Sequence, residues 1–320
     1  MKKILKNKKG ETNVVFIILF VIFVVYAFLI LFSLGWALLT SLKGVDDFEL
    51  NRNVLGFPSL KPDDIDPFNS RNAFFHFENY TKIINNFKVV KKQPFYRGNV
   101  LVTHTCEASI GTMLVNTLLY VGGGALIYAF MPAFTAYLCA KYNYKLSSII
   151  FGVYTFMMCM PIVGAYPTEL TFLRNTGLYD TIWGNYLQKM TGSGMYFFVY
   201  HAYFKGVPDT YREAAEIDGA SEYTIMFRIM FPLAIKIMLT VFLIQFVALW
   251  NDYQTPLLYL PTHPTLAYGV FYLSYFQLHE WYHTSIKMAG CIMLVVPILI
   301  IFIIFKNKLM GDVSLGGIKE

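Results

Sequence analysis

A short run late in the sequence has the spacing of a zinc-binding helix. His279-Glu280-Trp281-Tyr282-His283 fits the HExxH pattern, in which two histidines one helical turn apart bind zinc and the glutamate activates water. Catalytic zinc needs a third protein ligand, but the only later carboxylates are Asp312 and Glu320, beyond the last apolar segment. We therefore predict an aromatic and polar loop, with no metal and no catalytic residue. An intramembrane zinc protease stays as an alternative.

A second polar group follows the apolar run Leu233 to Trp250. Asn251 and Asp252 would lie roughly 22 Å along a helix that starts near the opposite face of a membrane. A carboxylate at that depth is costly unless it faces water or a partner. Two interpretations stay open. Trp250, Asn251, Asp252 and Tyr253 either border a translocation pathway or end the helix as interfacial anchors.

A third group is the charged segment Lys205 to Pro232. Pro208, with Asp209 or the next residue, predicts the start of a short helix, because proline has a helical φ and an Asp or Thr side chain can accept from the first free amides. Gly219 predicts the end of this helix, and a second short helix is expected from about Ser221. Such a pair forms either a protruding knob that could enter a groove of another protein or an ordinary amphipathic loop.

The composition shows what must position these groups. Of the 320 residues, 56% are hydrophobic and only 14% are charged, which excludes a soluble single domain. Six apolar stretches are long enough to cross about 30 Å of hydrocarbon. We therefore predict an all-α integral membrane protein with six transmembrane helices. The stretches are Thr12 to Leu42, Ala108 to Ala140, Leu146 to Thr168, Thr181 to Phe204 with Lys189 inside, Leu233 to Trp250 with Lys236 inside, and Met288 to Phe305.

The distribution of basic residues predicts the orientation. Apart from one long loop, which is exempt from the positive-inside bias, most Lys and Arg fall on the side of the N-terminus. Both termini are therefore predicted to be cytoplasmic, and the net charge of +6 gives no reason to expect nucleic acid as a partner. The long loop has one helix-like piece, Phe77 to Phe87. The predicted regions are a cytoplasmic N-terminus (1–13), a first transmembrane helix (14–42), a long external loop (43–107), a five-helix core (108–305) that includes the inside segment 205–232, and a cytoplasmic tail (306–320).

The inside segment carries a recognisable signature. Glu213-Ala214-Ala215, Gly219, Ile229 and Pro232 have the order and spacing of the EAA motif of permease subunits of ATP-binding cassette (ABC) importers, which this sequence resembles. Phe231 stands where that motif usually has leucine. Other runs resemble the carbohydrate-uptake branch, on the side of the maltose permease's smaller subunit. They are EAAEIDGAS at 213–221, WND at 250–252, FENYTKII at 77–84, NTLLY at 116–120 and GGIK at 316–319.

The resemblance covers most of the chain and implies a type I ABC importer permease fold in a bacterial cell membrane. It implies an ATP-driven sugar importer, with an oligosaccharide as the expected substrate, in which this chain pairs with a second homologous permease and is surrounded by membrane lipid. Two ATPase subunits would bind below, and an external solute-binding protein would deliver the sugar. The implied ATPase-coupling residues are Glu213, Ala214, Ala215, Asp218 and Gly219.

The sequence has no GxxxxGK[ST] motif for binding nucleotide phosphates. The resemblance therefore implies that ATP and Mg²⁺ are bound by the partner ATPase subunits, with no cofactor in this chain. Gly122-Gly123-Gly124 lies inside an apolar span and is expected to allow close helix packing. A secondary transporter driven by an ion gradient stays as an alternative. It would need intramembrane carboxylates, for which Glu169 and Asp180, near the outer face, are poor candidates.

Overall fold

The computed structural model describes residues 14–44, 46–50, 52–58, 75–97, 100–142, 144–160, 165–191, 194–275 and 283–311. These residues are mainly helical, with two π-helical turns at Asp46–Leu50 and Met226–Met230. The strands are β1 (Lys88–Arg97) and β2 (Val100–Ser109). The helices are α1 (Val14–Ser41), α2 (Glu78–Asn86), α3 (Ile110–Lys141), α4 (Lys145–Cys159), α5 (Ala165–Asn175), α6 (Ile182–Thr191), α7 (Gly194–Gly206), α8 (Thr210–Ile217), α9 (Glu222–Ile225), α10 (Phe231–Trp250), α11 (Gln254–Tyr259), α12 (Leu266–Tyr275) and α13 (Thr284–Gly311).

Four helical stretches among the described residues are long and apolar enough to cross a membrane. They are Phe16–Ser41, Ile110–Lys141, Glu222–Trp250 and Thr284–Phe305. The predicted span from Thr181 to Phe204 contains the helices α6 and α7, whose facing ends are Thr191 and Gly194. The count of six spans stays a prediction.

The described chain divides into two compact units, Met1–Asn86 with Phe276–Met293 and Phe87–Tyr275 with Leu294–Glu320. In the first unit, α2 holds the end of α1. The buried Asn79 donates from Nδ2 to the backbone oxygens of Ser41 (2.9 Å) and Lys43 (3.0 Å), which the ended helix leaves without an intrahelical partner. The helix predicted at Phe77 to Phe87 is confirmed as α2.

The second unit begins with a β-hairpin that the sequence analysis did not predict. β1 and β2 pair antiparallel, from Lys88 opposite Ser109 to Arg97 opposite Val100. The signals were present in the sequence, since β2 is rich in β-branched residues and the dipeptide Gly-Asn separates the strands. The hairpin is an addition to the predicted helical fold class, which the mainly helical described chain confirms. β2 continues directly into α3.

Helix α3 is the centre of the second unit, where it packs against α6, α7 and α10. Ala125, Ala129 and Ala133 are buried at four-residue spacing along one face of α3. Small side chains at this spacing allow helix backbones to approach closely within a membrane. Near its end, the ring of Tyr137 meets Phe204 edge-on, with the ring centres 5.4 Å apart, and likewise Phe231 at 6.2 Å. The last turns of α3 are thus embedded among aromatic side chains of α7 and α10.

The three consecutive glycines of α3 have different surroundings. A Cβ atom on Gly124 would lie 2.8 Å from both Leu249 Cδ1 and Lys189 Cε, and one on Gly123 would collide with the Tyr186 hydroxyl. A Cβ atom on Gly122 would meet nothing within 4 Å. The predicted packing role is therefore confirmed for two of the three glycines.

We expect Gly124→Leu to destabilise the protein and Gly122→Leu to leave its stability close to wild type. The first substitution overfills a packed contact between α3, α6 and α10, which costs about 3 kcal/mol. The second points a similar side chain into open space on the same helix. Thermal unfolding of the detergent-purified proteins, followed by tryptophan fluorescence, measures the difference. Equal midpoints for the two variants would contradict the packing role.

Candidate functional site

The inside segment folds as two short helices, and its first helix, α8, ends as predicted. Gly219 has a left-handed backbone with φ of +77°. The backbone N–H of Ala220 donates to the oxygen of Ala215 (2.9 Å), and the N–H of Gly219 donates to the oxygen of Glu216 (3.0 Å). This is the Schellman pattern, in which a residue in the left-handed conformation lets the last carbonyls of a helix be satisfied. The predicted helix end at Gly219 is confirmed.

The start of α8 lies where predicted, but the expected side-chain cap is wrong. The carboxylate of Asp209 makes no hydrogen bond with the first-turn amides. It accepts instead from Lys141 Nζ at 2.7 Å, at the end of α3. A charged donor makes a stronger bond than a neutral amide, so the ammonium engages the carboxylate. The hydrogen bond and charge of Lys141 hold the pKa of Asp209 below its usual value.

The second short helix, α9, is capped by Ser221, whose Oγ accepts from the N–H of Thr224 at 3.4 Å. The predicted second helix is thereby confirmed. After α9 the chain passes through the π turn and continues as α10 to Trp250. Pro232 lies in the first turn of α10, where proline's missing N–H is tolerated best. The segment is therefore directly continuous with a long apolar helix.

The two short helices have a buried face and an exposed face. Ala215, Ile225 and Met226 are buried against the helices behind them. The outer face presents Ile217, which is 86% exposed, and Tyr223, which is 75% exposed. Of the predicted coupling residues, Ala215 is buried, and the exposed ones are Glu213, Ala214, Asp218 and Gly219.

The four predicted pathway residues have different environments. Trp250 is only 3% exposed, and its Nε1 donates to the backbone oxygen of Leu294 at 2.9 Å. Asn251 is exposed and donates back to its own helix. The ring of Tyr253 stacks on Phe271 with 4.5 Å between ring centres. Trp250 therefore packs in the core, while Asn251 presents its side chain at the end of α10.

Asp252 belongs to a polar network that links three helices. Its Oδ2 accepts from the Tyr120 hydroxyl at 2.6 Å, and its Oδ1 accepts from the N–H of Thr255 at 3.1 Å. Lys189 Nζ lies 4.1 Å from the centre of the Tyr120 ring and donates to Asn185 Oδ1 at 2.6 Å. The side chains of Tyr120, Asn185 and Lys189 are buried. This network ties α3 and α6 to the end of α10.

Sequence reasoning identified Asp252 but missed its partners. Lys189 was visible as the single charge inside an apolar stretch, and such a residue is a functional-site hypothesis by default. Tyr120 lies in the NTLLY run, but nothing in its spacing points to Asp252.

The two outer carboxylates considered for an ion site are both hydrogen-bonded. Glu169 Oε2 accepts from Gln188 Nε2 and from the Tyr259 hydroxyl, each at 2.7 Å. Asp180 Oδ2 accepts from Thr262 Oγ1 at 2.7 Å, and Asp180 Oδ1 accepts from the backbone N–H of Thr262 at 3.1 Å. Both carboxylates join neighbouring segments of the second unit.

The predicted absence of zinc concerns a run that is largely outside the described residues, since His279 and Glu280 belong to 276–282. His283 is described, and its Nδ1 lies 3.6 Å from Glu49 Oε2. Within the described ranges, no three His, Cys, Asp or Glu side chains come together as a metal site. The absence of zinc at this run stays a prediction.

The apolar helices are those of a multi-pass membrane protein, and the helix pair is exposed on its surface. Residues 132–310, more than half of the chain, match the family described as binding-protein-dependent transport system inner membrane component. The chain belongs to this family. It is therefore a permease subunit of an ABC transport system in the bacterial cell membrane, and it is not itself an enzyme. The predicted resemblance to carbohydrate-uptake permeases is confirmed.

Several known proteins are similar to this chain. The probable starch degradation products transport system permease protein AmyC of Thermoanaerobacterium thermosulfurigenes is 27% identical over 226 residues, which is 68% of this chain and 79% of AmyC. The arabinooligosaccharides transport system permease protein AraQ of Bacillus subtilis is 26% identical over 299 residues, 93% of each chain.

A solved structure shares the fold. It is a chain of a bacterial ABC transporter involved in the import of the acidic polysaccharide alginate, with a TM-score of 0.70. The similarity covers 94% of this chain and 99% of that chain at 16% sequence identity. The type I permease fold expected from the sequence agrees with this similarity. A permease of this kind works with an ATPase and a solute-binding protein.

Proposed function

We propose that this chain is the permease subunit of an ATP-driven oligosaccharide importer and forms the pathway together with a second homologous permease. The observation that carries this proposal is the exposed helix pair 205–232 in a member of this family, continuous with the long helix α10. The choice of oligosaccharide is supported by relatives named for starch degradation products, for arabinooligosaccharides and, in MelC of Bacillus subtilis, for melibiose, raffinose and stachyose. MelC is 25% identical over 67% of this chain.

In this proposal, the segment 205–232 is the coupling segment. ATP and Mg²⁺ bind to the partner ATPase subunits, and closure of the ATPase dimer moves the docked segment. Glu213 can reach basic groups of a docked subunit, while Ile217 and Tyr223 supply apolar contact area. Because the coupling segment continues as α10, a movement of the segment is transmitted along α10 to its other end. The region of Asn251 and Asp252 would then change its exposure to the pathway.

The proposal requires six spans with both termini in the cytoplasm, and cysteine labelling can test this topology. In a chain whose other three cysteines are replaced by serine, Cys106 should react with an impermeant thiol reagent added to intact cells. Ser221→Cys, placed alone in a cysteine-free chain, should react only after the cytoplasmic face is opened. Reversed accessibility would contradict both the orientation and the coupling role of the segment.

The proposed function is tested by reconstitution. The chain is purified with its partner subunits and placed in vesicles with the solute-binding protein outside. We expect uptake of labelled oligosaccharide that requires ATP in the lumen, where the ATPase subunits face. Mass spectrometry of the sugar retained by the purified binding protein identifies the substrate. Uptake by this chain alone, driven by an ion gradient without ATP, would instead establish a secondary transporter.

A further inference from the structure

The end of α3 is attached to the coupling segment at two points. Lys141 Nζ donates to the backbone oxygen of Val207 at 2.5 Å and to Asp209 Oδ1 at 2.7 Å, just before α8 begins. The next residue, Tyr142, donates its hydroxyl hydrogen to the carboxylate of Glu222, the first residue of α9. Each short helix of the coupling segment is therefore held by one of two consecutive residues.

The covalent chain does not provide this connection. The coupling segment is bonded directly to α7 on one side and to α10 on the other, so these two helices must follow its movement. In contrast, Lys141 and Asp209 are 68 positions apart in the sequence. Helix α3 can follow the segment only through noncovalent contacts. Among the described residues, these contacts include the hydrogen bonds of Lys141 and Tyr142 and the packing of the Tyr137 and Phe130 rings against Phe231.

The N-terminal half of α3 contains Tyr120, whose hydroxyl binds Asp252. Tyr120 lies about 30 Å along the helix from Lys141, at 1.5 Å per residue. Its hydroxyl donates to the Asp252 carboxylate at 2.6 Å. A displacement of the Lys141 end along or across the helix axis would therefore reach the network at the end of α10. The helix is buried along much of this length and contains Pro132, which removes one backbone hydrogen bond, so bending at this turn sets how much of the displacement reaches Tyr120.

We propose that Lys141 is a positioning residue that couples the movement of the coupling segment to α3. This inference rests on the proposed function and adds a second route of transmission beside the covalent route through α10. The Lys141 side chain is only 4% exposed, so its ammonium has exchanged water for the oxygens of Val207 and Asp209. Such a buried, twice-bonded ammonium fixes the relative position of two elements more closely than an exposed ion pair does.

Because Asp209 is exposed, the hydrogen bond between Lys141 and Asp209 can be removed without leaving a buried, unpaired carboxylate. The Asp209 side chain is 61% exposed, so after loss of the lysine the carboxylate can be hydrated by water. Lys141→Met should therefore keep the fold, the docking face of the coupling segment and the bound ATPase. What it removes is the fixed position of α3 relative to that segment.

The matched control is Lys145→Met. Lys145 is exposed, lies four positions further along on the same predicted cytoplasmic face, and begins α4. The substitution makes the same change of charge and length without touching the link. Lys141→Arg tests whether a longer cation with the same charge can keep the link to Asp209.

The experiment measures sugar uptake and ATP hydrolysis together in vesicles that contain the whole complex. For Lys141→Met we expect uptake per ATP hydrolysed to fall about tenfold, with the ATPase still co-purifying, because coupling is weakened while docking is kept. Lys141→Arg should stay within about twofold of wild type, and Lys145→Met should match wild type. Asp209→Asn, which keeps an acceptor but loses the charge, should reduce the ratio about threefold.

The results separate this inference from the proposed function. If the wild-type complex shows no ATP-dependent uptake, the proposed function is wrong. If wild type couples normally and Lys141→Met keeps its ratio of uptake to hydrolysis, only the role of Lys141 is wrong. An equal loss in Lys145→Met would also overturn it, because a general charge effect would then be sufficient. If Lys141→Met is not recovered as a folded protein, the ratio for the exposed Asp209→Asn decides in the same way.

Discussion

Gly219→Leu is expected to abolish ATP-driven transport while leaving the chain inserted in the membrane and paired with the second permease. Gly219 has φ of +77°, a conformation that costs a side-chain-bearing residue about 1 kcal/mol. A Cβ atom there would meet nothing within 4 Å in the described chain, so the leucine points away from the bundle. Under the proposed function, the docked ATPase occupies that space. We therefore expect loss of the ATPase from the purified complex as well as loss of uptake.

The chain offers a matched control on the opposite side of the predicted membrane. Gly177 follows α5 with φ of +70°, and a Cβ atom on it would also meet nothing within 4 Å. The N–H of Leu178 donates to the oxygen of Leu173 at 2.9 Å, the same helix-ending pattern as at Gly219. Gly177→Leu thus adds equal backbone strain away from the coupling segment. It should keep ATPase co-purification and ATP-driven uptake near wild type.

Glu213→Ala is expected to give the Gly219→Leu defect in milder form. Glu213 is exposed in the middle of α8, so alanine keeps the helix and removes one charged contact with a partner. ATPase co-purification and uptake in vesicles are measured for all three variants. Normal ATP-driven uptake with Gly219→Leu would show that the segment is an ordinary surface loop. An equal loss of uptake with Gly177→Leu would show that backbone strain alone is responsible.

Asp252→Ala is expected to lower the free energy of unfolding by about 3 kcal/mol. The substitution leaves the buried Tyr120 hydroxyl without its acceptor, and an unsatisfied buried polar group costs about 1–3 kcal/mol. The hydrogen bond to the N–H of Thr255 is lost as well, and so is the carboxylate charge that interacts with the buried Lys189 ammonium. Asn251→Ala is the neighbouring control, because Asn251 is exposed and bonds only to its own helix.

A double-mutant cycle identifies the interaction responsible. Tyr120→Phe removes only the hydroxyl, so Asp252→Ala should be less destabilising in the Tyr120→Phe background than in the wild-type chain. Thermal unfolding in detergent measures all four proteins. Additive effects would show that the Tyr120 to Asp252 hydrogen bond does not contribute.

Asp252→Asn keeps an acceptor oxygen but loses the charge. Sugar uptake by this variant in vesicles separates the two interpretations of this region, since a pathway carboxylate is needed for transport and a helix anchor is not.

Features that depend on near neighbours along the chain could be predicted from the sequence. The apolar stretches predicted a membrane protein, because the length of a stretch and its lack of charged residues decide whether it can cross the hydrocarbon. Gly219 marked the end of α8, since only glycine enters the left-handed conformation without strain. The resemblance to the EAA motif was likewise visible, because its residues lie within one short segment, while the coupling role of Glu213, Ala214, Ala215, Asp218 and Gly219 stays a prediction.

The contacts between side chains that are distant in the sequence could not be predicted, because they depend on how the helices pack. Local chemistry predicted that Asp209 would cap α8, but the end of α3 brings the stronger, charged donor of Lys141 to the same carboxylate. Tyr120 and Asp252 are 132 positions apart, and no spacing rule links them. Whether a polar side chain faces solvent, a partner helix or its own backbone depends on how the helices pack, since one helix can present any of its faces to a neighbour. The composition of the helices predicted that they would pack in a membrane, and their packing alone brought Lys141, Tyr120 and Asp252 to their partners.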